Sequence, residues 1–264
     1  MNKTDISEIR FGLIVDLDKC TGCGKCAVAC AQENNMPVSK NDSNQKRKAA
    51  LLNILQVAND ENYPNAKIAF VPKICMHCSK PTCAAVCPTG AASVKVNGTT
   101  GIAQTGCIGC RACMAACPYK TPVFIWEKPK YFDKSLNPDA PLAPKGSVVK
   151  CSLCRHLWLQ ARQRAAATTT KANTDSTVSH ITDAAEDATS AAAAEIDTVS
   201  YTPACVAACP TDAITLCNLN NPTSKAAQLA AQAVTIPSKG DTKPNVFYLT
   251  KREWLKNILL KGIK

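Results

Sequence analysis

Apolar residues along this chain fall in short runs, each of strand length or a little more, set between polar and proline-rich stretches. Phe11 to Leu17 (FGLIVDL) reads as a β-strand that delivers the chain to its first cysteine. Residues 31–66 are polar on the whole, with SKNDSNQKRK near their centre, and Ala49 to Ala58 within them predicts a helix. Lys67 to Ile74 is a second strand. The segment ASVKVNGTTGIAQ predicts a hairpin with Asn97-Gly98 at its turn. VFIWE and AITLC are further strand candidates. The last fourteen residues, KREWLKNILLKGIK, put Trp254, Ile258 and Leu259, with Leu255 beside them, on one helical face and lysines on the other. That face is expected either to dock on the protein's own core or to meet a partner or a membrane surface.

No apolar run approaches the ~18 residues a membrane-spanning helix needs. The first residues, MNKTDISEIR, carry acids, no hydrophobic stretch and no paired arginines, so they do not read as a signal peptide and the chain is expected to be soluble by itself. Residues 165–200 are nearly all Ala, Thr, Ser and acid, with one lysine and six acids, a net of −5 against +16 for the rest. A segment of that composition cannot bury a core of its own and is expected to be a surface excursion or partly disordered.

The polar side of the pattern is dominated by 17 cysteines in 264 residues, in tight groups rather than the scatter of a disulfide scaffold. Cys20, Cys23, Cys26 and Cys30 are spaced C-x2-C-x2-C-x3-C, and so are Cys107, Cys110, Cys113 and Cys117, which Pro118 follows. Cys75, Cys78, Cys83 and Cys87 follow the same plan with two extra residues, Lys80 and Pro81. Cys151, Cys154, Cys205 and Cys209 form a fourth group split by the insertion. This is the spacing of ferredoxin-type 4Fe-4S ligands: three thiolates on one tight loop cover three corners of a cubane, and the fourth, one helical turn on, serves a second cluster. Gly109 lets the backbone bend close to the inorganic core, and Pro118 stops the ligand helix. Zinc, the alternative, takes four ligands and has no use for three thiolates in seven residues.

Two repeats reveal the organisation. CAAVCPTGA (Cys83 to Ala91) recurs as CVAACPTDA (Cys205 to Ala213), and CTGCGKCAVAC (Cys20 to Cys30) as CIGCRACMAAC (Cys107 to Cys117). Only nineteen residues separate Cys87 from Cys107, so groups two and three are expected to fold together, leaving group one to complement group four. The expected class is α+β, two nested ferredoxin-like units: 1–66 with 146–220 outside, carrying the inserted segment 160–200; 67–145 inside; and 221–264 as a C-terminal extension. The expected ligand sets are Cys20, Cys23, Cys26 and Cys209; Cys30, Cys151, Cys154 and Cys205; Cys75, Cys78, Cys83 and Cys117; and Cys87, Cys107, Cys110 and Cys113, for four 4Fe-4S clusters. Cys217, left over, reads as a small buried hydrophobe.

Charge matters less than it first suggests. The formal +11 falls to about +3 once sixteen thiolates and four oxidised cubane cores are counted, so basicity here is mostly counter-charge to clusters. Lys19, Lys25, Arg111, Lys120, Lys150 and Arg155 lie within a few residues of a ligand, where a cation raises cluster potential or simply sits solvated. His77, between Cys75 and Cys78, can donate to a cluster sulfur or face solvent; it, His156 and His180 are too scattered for a catalytic site.

VDLDKCTGCGKCAVAC, AFVPKICMHC with CPTGA, CIGCRACMAACPY, the split fourth group, and LNNPTSKAAQL followed by KPNVFYL resemble the four-cluster electron-transfer subunit of the dimethyl sulfoxide reductase family of molybdopterin oxidoreductases. The long Ala-Thr-acid insertion and the polar 31–66 stretch depart from that pattern without removing a ligand. Cys110 stands where some relatives carry a tryptophan and one cluster is lower in iron, which favours four complete cubanes. The resemblance implies a linear wire in a non-catalytic subunit. The set of Cys20, Cys23, Cys26 and Cys209 would face the molybdopterin-containing catalytic subunit; that of Cys87, Cys107, Cys110 and Cys113 would face a quinone-reactive membrane anchor or a cytochrome. It implies no direct small-molecule substrate and no nucleic acid, with attachment to the periplasmic face of the cytoplasmic membrane through co-exported partners, or to its cytoplasmic face. The alternatives are a soluble polyferredoxin-type carrier, the iron-sulfur subunit of a hydrogenase complex, and a zinc-ribbon nucleic-acid binder.

Overall fold

A computed structural model describes residues 9–36, 49–126, 136–170, 201–221, 225–238 and 240–262. Strand β1 (Phe11–Asp16) lies at the centre of a three-stranded sheet, antiparallel to β8 (Ile214–Asn218) and parallel to β9 (Val246–Leu249). Its residues Phe11 to Val15 are all buried, so the run carries no polar alternation, as expected of a strand covered on both faces. Register sets Leu13 opposite Leu216 and Val246, and Val15 opposite Ile214 and Tyr248. This sheet joins the first, fourth and C-terminal segments of the chain.

The other strands form two-stranded pairs. Strand β3 (Ile68–Lys73) pairs antiparallel with β2 (Asn53–Ala58), β4 (Ala92–Val94) with β5 (Thr100–Ile102), and β6 (Val123–Phe124) with β7 (Val148–Val149). The hairpin predicted around Asn97-Gly98 is present. Its loop is closed by the Gly98 amide donating to the Lys95 carbonyl and the Lys95 amide donating to Thr99, with Gly98 at φ 73°.

The helix expected over Ala49 to Ala58 is not there. Residues 53–58 are β2, and Leu51 and Leu52 just before it are buried. Leu, Ala and Gln favour a helix locally, but the β3 backbone offers six paired positions, and Ile54, Leu55 and Val57 each pack partly buried against the core. VFIWE is likewise strand only over Val123 and Phe124.

The helices that follow cysteine groups pair off. Helix α1 (Lys25–Glu33) packs on α5 (Ala204–Ala207), and α2 (Thr82–Ala85) on α3 (Ala112–Ala116). A longer helix, α4 (Arg155–Thr170), leads from the fourth group toward the insertion, whose residues 171–200 lie outside the described set. Its Trp158 is buried edge-on to Phe11, which also meets the ring of Tyr201 edge-on.

Helix α6 (Lys225–Gln232) rests on β8 and β9. The tail forms α7 (Glu253–Lys261), whose Leu255 and Leu259 are fully buried, with Trp254 packed partly beside them. Its apolar face therefore docks on the protein's own core. Asp18, just past β1, clamps the junction by accepting from Thr250 Oγ1 (2.8 Å), the Lys251 amide (2.7 Å) and Arg252 Nε (2.8 Å). Among the described residues no helix is long and apolar enough to cross a membrane.

Candidate metal centre

The internal repeat in sequence is also a repeat in backbone. Gly22 and Gly109 both sit at φ near 70°, and the next-but-one residues, Gly24 and Arg111, both take left-handed conformations that start α1 and α3. Each loop turns its backbone inward tightly: a Cβ on Gly22 would overlap the Phe70 ring, and one on Gly109 the Gly146 carbonyl oxygen. At the other two groups, Pro81 and Pro203 precede the short helices α2 and α5. After each of these the Cys-Pro-Thr turn repeats its bonds. The Ala92 amide donates to Cys87 Sγ (3.4 Å) and the Ala213 amide to Cys209 Sγ (3.2 Å).

These elements gather cysteines from distant groups. One surface pocket is lined by Cys20, Cys23, Cys26 and Cys209, and another by Cys87, Cys107, Cys110 and Cys113. Thiols left to themselves report the other two gatherings through their mutual repulsion. Burial, then Cys205 and Cys154, raises Cys30, and burial, then Cys30, Cys75, Cys205 and Cys154, raises Cys151. Cys78 is pushed up to about 12 by burial first and Cys75 next, with Cys117 and Cys83 adding to it. Two pockets thus gather the members of the first and fourth expected sets, and members of the second and third lie close enough to repel one another, with Cys75 acting on Cys151 as well.

Neighbouring sets also touch electrostatically. Cys205, at about 12, is raised by burial, Cys154 and then Cys26; Cys151 feels Cys75; Cys113, at about 11, is raised by burial and next by Cys83. Cys23 and Cys110, in the first and last sets, are exposed, whereas Cys30, Cys154 and Cys205 in the second are buried.

All seventeen cysteines are free thiols, so none of this closeness is disulfide chemistry. The donor set fits a cationic iron-sulfur core. Thiols packed this way raise one another's pKa, and a cation among them reverses that sign and deprotonates them outright. Backbone amides already point at the sulfurs: His77 at Cys75 (3.5 Å), Val148 at Cys107 (3.4 Å) and Leu153 at Cys151 (3.3 Å). The turns at Cys87 and Cys209 go further. Burial pushes both thiols up, but the surrounding Thr89, Ala91 and Ala92, and Thr211, Ala213 and Ile214, donors outweigh it and bring each below the ordinary thiol value. Among the described residues no three His, Cys, Asp or Glu side chains are grouped closely enough to hold a single bare ion.

Of the six cations near ligands, Lys150 and Arg155 are buried, while Lys19 pairs at the surface with Asp16. Lys150 donates from Nζ to the Thr100 carbonyl and lowers Cys83 against the effect of burial. His77 faces inward, 1 % exposed, with Nε2 3.4 Å from Cys151 Sγ. Burial first and Lys150 second hold its imidazole well below the ordinary pKa. Cys217 is buried opposite Gly12 in the sheet, and burial pushes its thiol up to about 11. Asn34 is a neighbour that cysteine spacing does not announce: one turn after Cys30 on α1, its Nδ2 lies 3.8 Å from Cys30 Sγ and 3.9 Å from Cys154 Sγ. Its position four residues past a ligand is the signal the sequence holds for it.

Comparison with known proteins supports 4Fe-4S binding by these cysteines. Residues 19–91 and 66–134 each match a family described as a 4Fe-4S dicluster domain. The chain is 34 % identical over 257 residues to the iron-sulfur cluster-binding subunit of menaquinone reductase of Nitratidesulfovibrio vulgaris, covering 95 % of this chain and 92 % of that one. It is 30 % identical over 247 residues to the iron-sulfur subunit of the arsenate respiratory reductase of a Shewanella species, covering 91 % and 96 %. A tetrathionate reductase subunit of Archaeoglobus fulgidus is 37 % identical over 147 residues, 56 % of each chain.

Proposed function

The chain belongs to the iron-sulfur electron-transfer subunits of the molybdoenzyme respiratory reductases, and within that family we propose that it is a linear wire of four 4Fe-4S clusters with no catalytic site of its own. Bound in place, each cluster supplies a one-electron carrier. The ligands would be Cys20, Cys23, Cys26 and Cys209; Cys30, Cys151, Cys154 and Cys205; Cys75, Cys78, Cys83 and Cys117; and Cys87, Cys107, Cys110 and Cys113. The two units they define are nested, residues 67–145 lying within 1–66 and 146–220, with β9 and α7 of the C-terminal segment completing the outer sheet and its cover.

The observation that carries this reading is that cysteines of the first and fourth sets line surface pockets, while thiols of successive sets repel one another: Cys26 and Cys205, Cys75 and Cys151, and Cys83 and Cys113. The chain's own residues do three things. Buried Leu, Val and Trp side chains exclude water from the middle of the line, backbone amides stabilise thiolate charge, and Lys150 offsets part of it. Partners would meet the open ends. Beside Cys110, Arg111 stacks over Phe124 and Trp126, at 5.3 and 5.2 Å, with Ile108 67 % exposed; Val28, two residues past Cys26, is exposed as well. Exposed apolar and aromatic groups around a carrier suit a protein contact.

The catalytic partner would be a molybdopterin-bearing chain and the other a quinone-reactive membrane subunit or a cytochrome, on the periplasmic face by co-export. The chain isolated from its host under native conditions should bring a molybdopterin-containing chain with it. Recovery as a monomer with no partner would favour a soluble polyferredoxin carrier instead.

A further inference from the structure

His77 bonds two sulfurs that belong to different sets. Its backbone amide donates to Cys75 Sγ at 3.5 Å, in the third set, and its ring nitrogen Nε2 lies 3.4 Å from Cys151 Sγ, in the second. The direction of the ring contact is fixed by the far side of the imidazole. The Thr100 amide donates to Nδ1 at 3.3 Å, and a nitrogen that accepts a hydrogen bond carries no proton. The ring proton therefore sits on Nε2, the nitrogen 3.4 Å from Cys151 Sγ.

Nothing about this placement is loose. His77 sits in a left-handed backbone conformation, φ 42°, which turns its side chain away from solvent. Two segments hold it there. Thr100 of β5 binds the ring through its amide and receives Lys150 Nζ at its carbonyl. Asn245, just before β9, donates from Nδ2 to the His77 carbonyl at 2.7 Å, and its own amide donates to Met76.

We propose that His77 is a potential-setting residue at the junction of the second and third clusters, donating its Nε2–H to the Cys151 thiolate in a tautomer imposed by Thr100. A hydrogen bond to a ligating sulfur stabilises the more negative, reduced state and raises the potential of that cluster. The inference rests on the ligand assignment above, since Cys151 must hold a cluster for the donor to act on one. It also gives the β4–β5 hairpin a role beyond joining two cysteine groups: its Thr100 decides which ring nitrogen is the donor.

The test is potentiometric titration, followed by electron paramagnetic resonance, of the full chain isolated with its four clusters. Three variants are compared with the parent: His77→Leu, His77→Gln and Cys151→Ala. Cys151→Ala identifies the signal of the second cluster by abolishing it. His77→Leu is expected to shift that same signal to lower potential while the other three stay put. His77→Gln, whose amide can present an N–H near the former Nε2, is expected to recover most of the shift. A His77→Leu protein with four clusters and an unmoved second signal overturns the proposal, as does a Gln variant shifted as far as Leu. Four intact signals in Cys151→Ala would instead overturn the ligand assignment beneath it. If His77→Leu loses iron, the parent protein decides alone. With histidine-specific nitrogen-15 labelling, pulsed resonance of the reduced second cluster should show one weakly coupled imidazole nitrogen, and its absence contradicts the proposal.

Discussion

Cys209 lies beside Cys20, across the whole inner unit and the insertion in sequence: the two line one pocket, and after burial and an opposing Gly22 amide it is Cys209 that most raises the Cys20 thiol. The contact exists because β1 and β8 pair antiparallel, bringing the loop after one against the turn before the other. A cluster held there would be clamped by both ends of the ligand series.

If each set of four thiolates holds one cubane, the isolated chain should carry about sixteen iron and about sixteen acid-labile sulfide. Metal and sulfide analysis of anaerobically purified protein checks this. Zinc at one ion per four thiols would sink the cluster reading altogether.

Gly109→Ala should lose the fourth cluster, whereas Gly24→Ala should keep the first. Both glycines are left-handed, φ 69° and 75°, so each substitution costs about 1–2 kcal/mol of backbone strain. Only Gly109 meets a wall, the Gly146 carbonyl; a Cβ on Gly24 has nothing within 4 Å. Iron content of the two variants separates the clash from the strain.

Leu255→Ala or Leu259→Ala should destabilise the protein by about 2–5 kcal/mol, because both side chains are fully buried. Truncation at Lys251 should then yield a poorly folded product rather than a holoprotein merely detached from its complex. The same junction should respond to acid. Burial alone pushes Asp18 up, but Lys251, Thr250 and Arg252 outweigh it and lower its pKa from 3.8. A carboxylate with a lowered folded pKa contributes stability that is fully present above about 3.8 and is lost as pH falls through the folded value. The acid limb of thermal stability should accordingly flatten in Asp18→Asn.

Shortening residues 171–200 to a ~10-residue Gly/Ser linker should leave all four clusters in place, given few large apolar groups and no cysteine in that stretch. Loss of the cluster assigned to Cys30, Cys151, Cys154 and Cys205 would show that the segment packs against it.

Ligand groups were legible in the sequence because cubane chemistry imposes a local spacing, and the Asn97-Gly98 turn because its backbone requires those residues. What depended on distant partners was not. Residues 49–58 look helical until β3 lies beside them. The tail's apolar face could be read from its period, but not what covers it, since periodicity names a side and not a neighbour. His77 could be placed between two ligands; that its ring reaches a sulfur of another group depends on φ 42° and on Thr100, neither of which spacing reveals.

The proposed wire rests on the nested ligand sets, and one comparison tests them most directly: electron paramagnetic resonance of reduced Cys20→Ala beside reduced Cys209→Ala. The same cluster signal should disappear or change in both proteins while the other three persist. If the two variants perturb different clusters, groups one and four do not share a cubane, and the order of the wire is wrong.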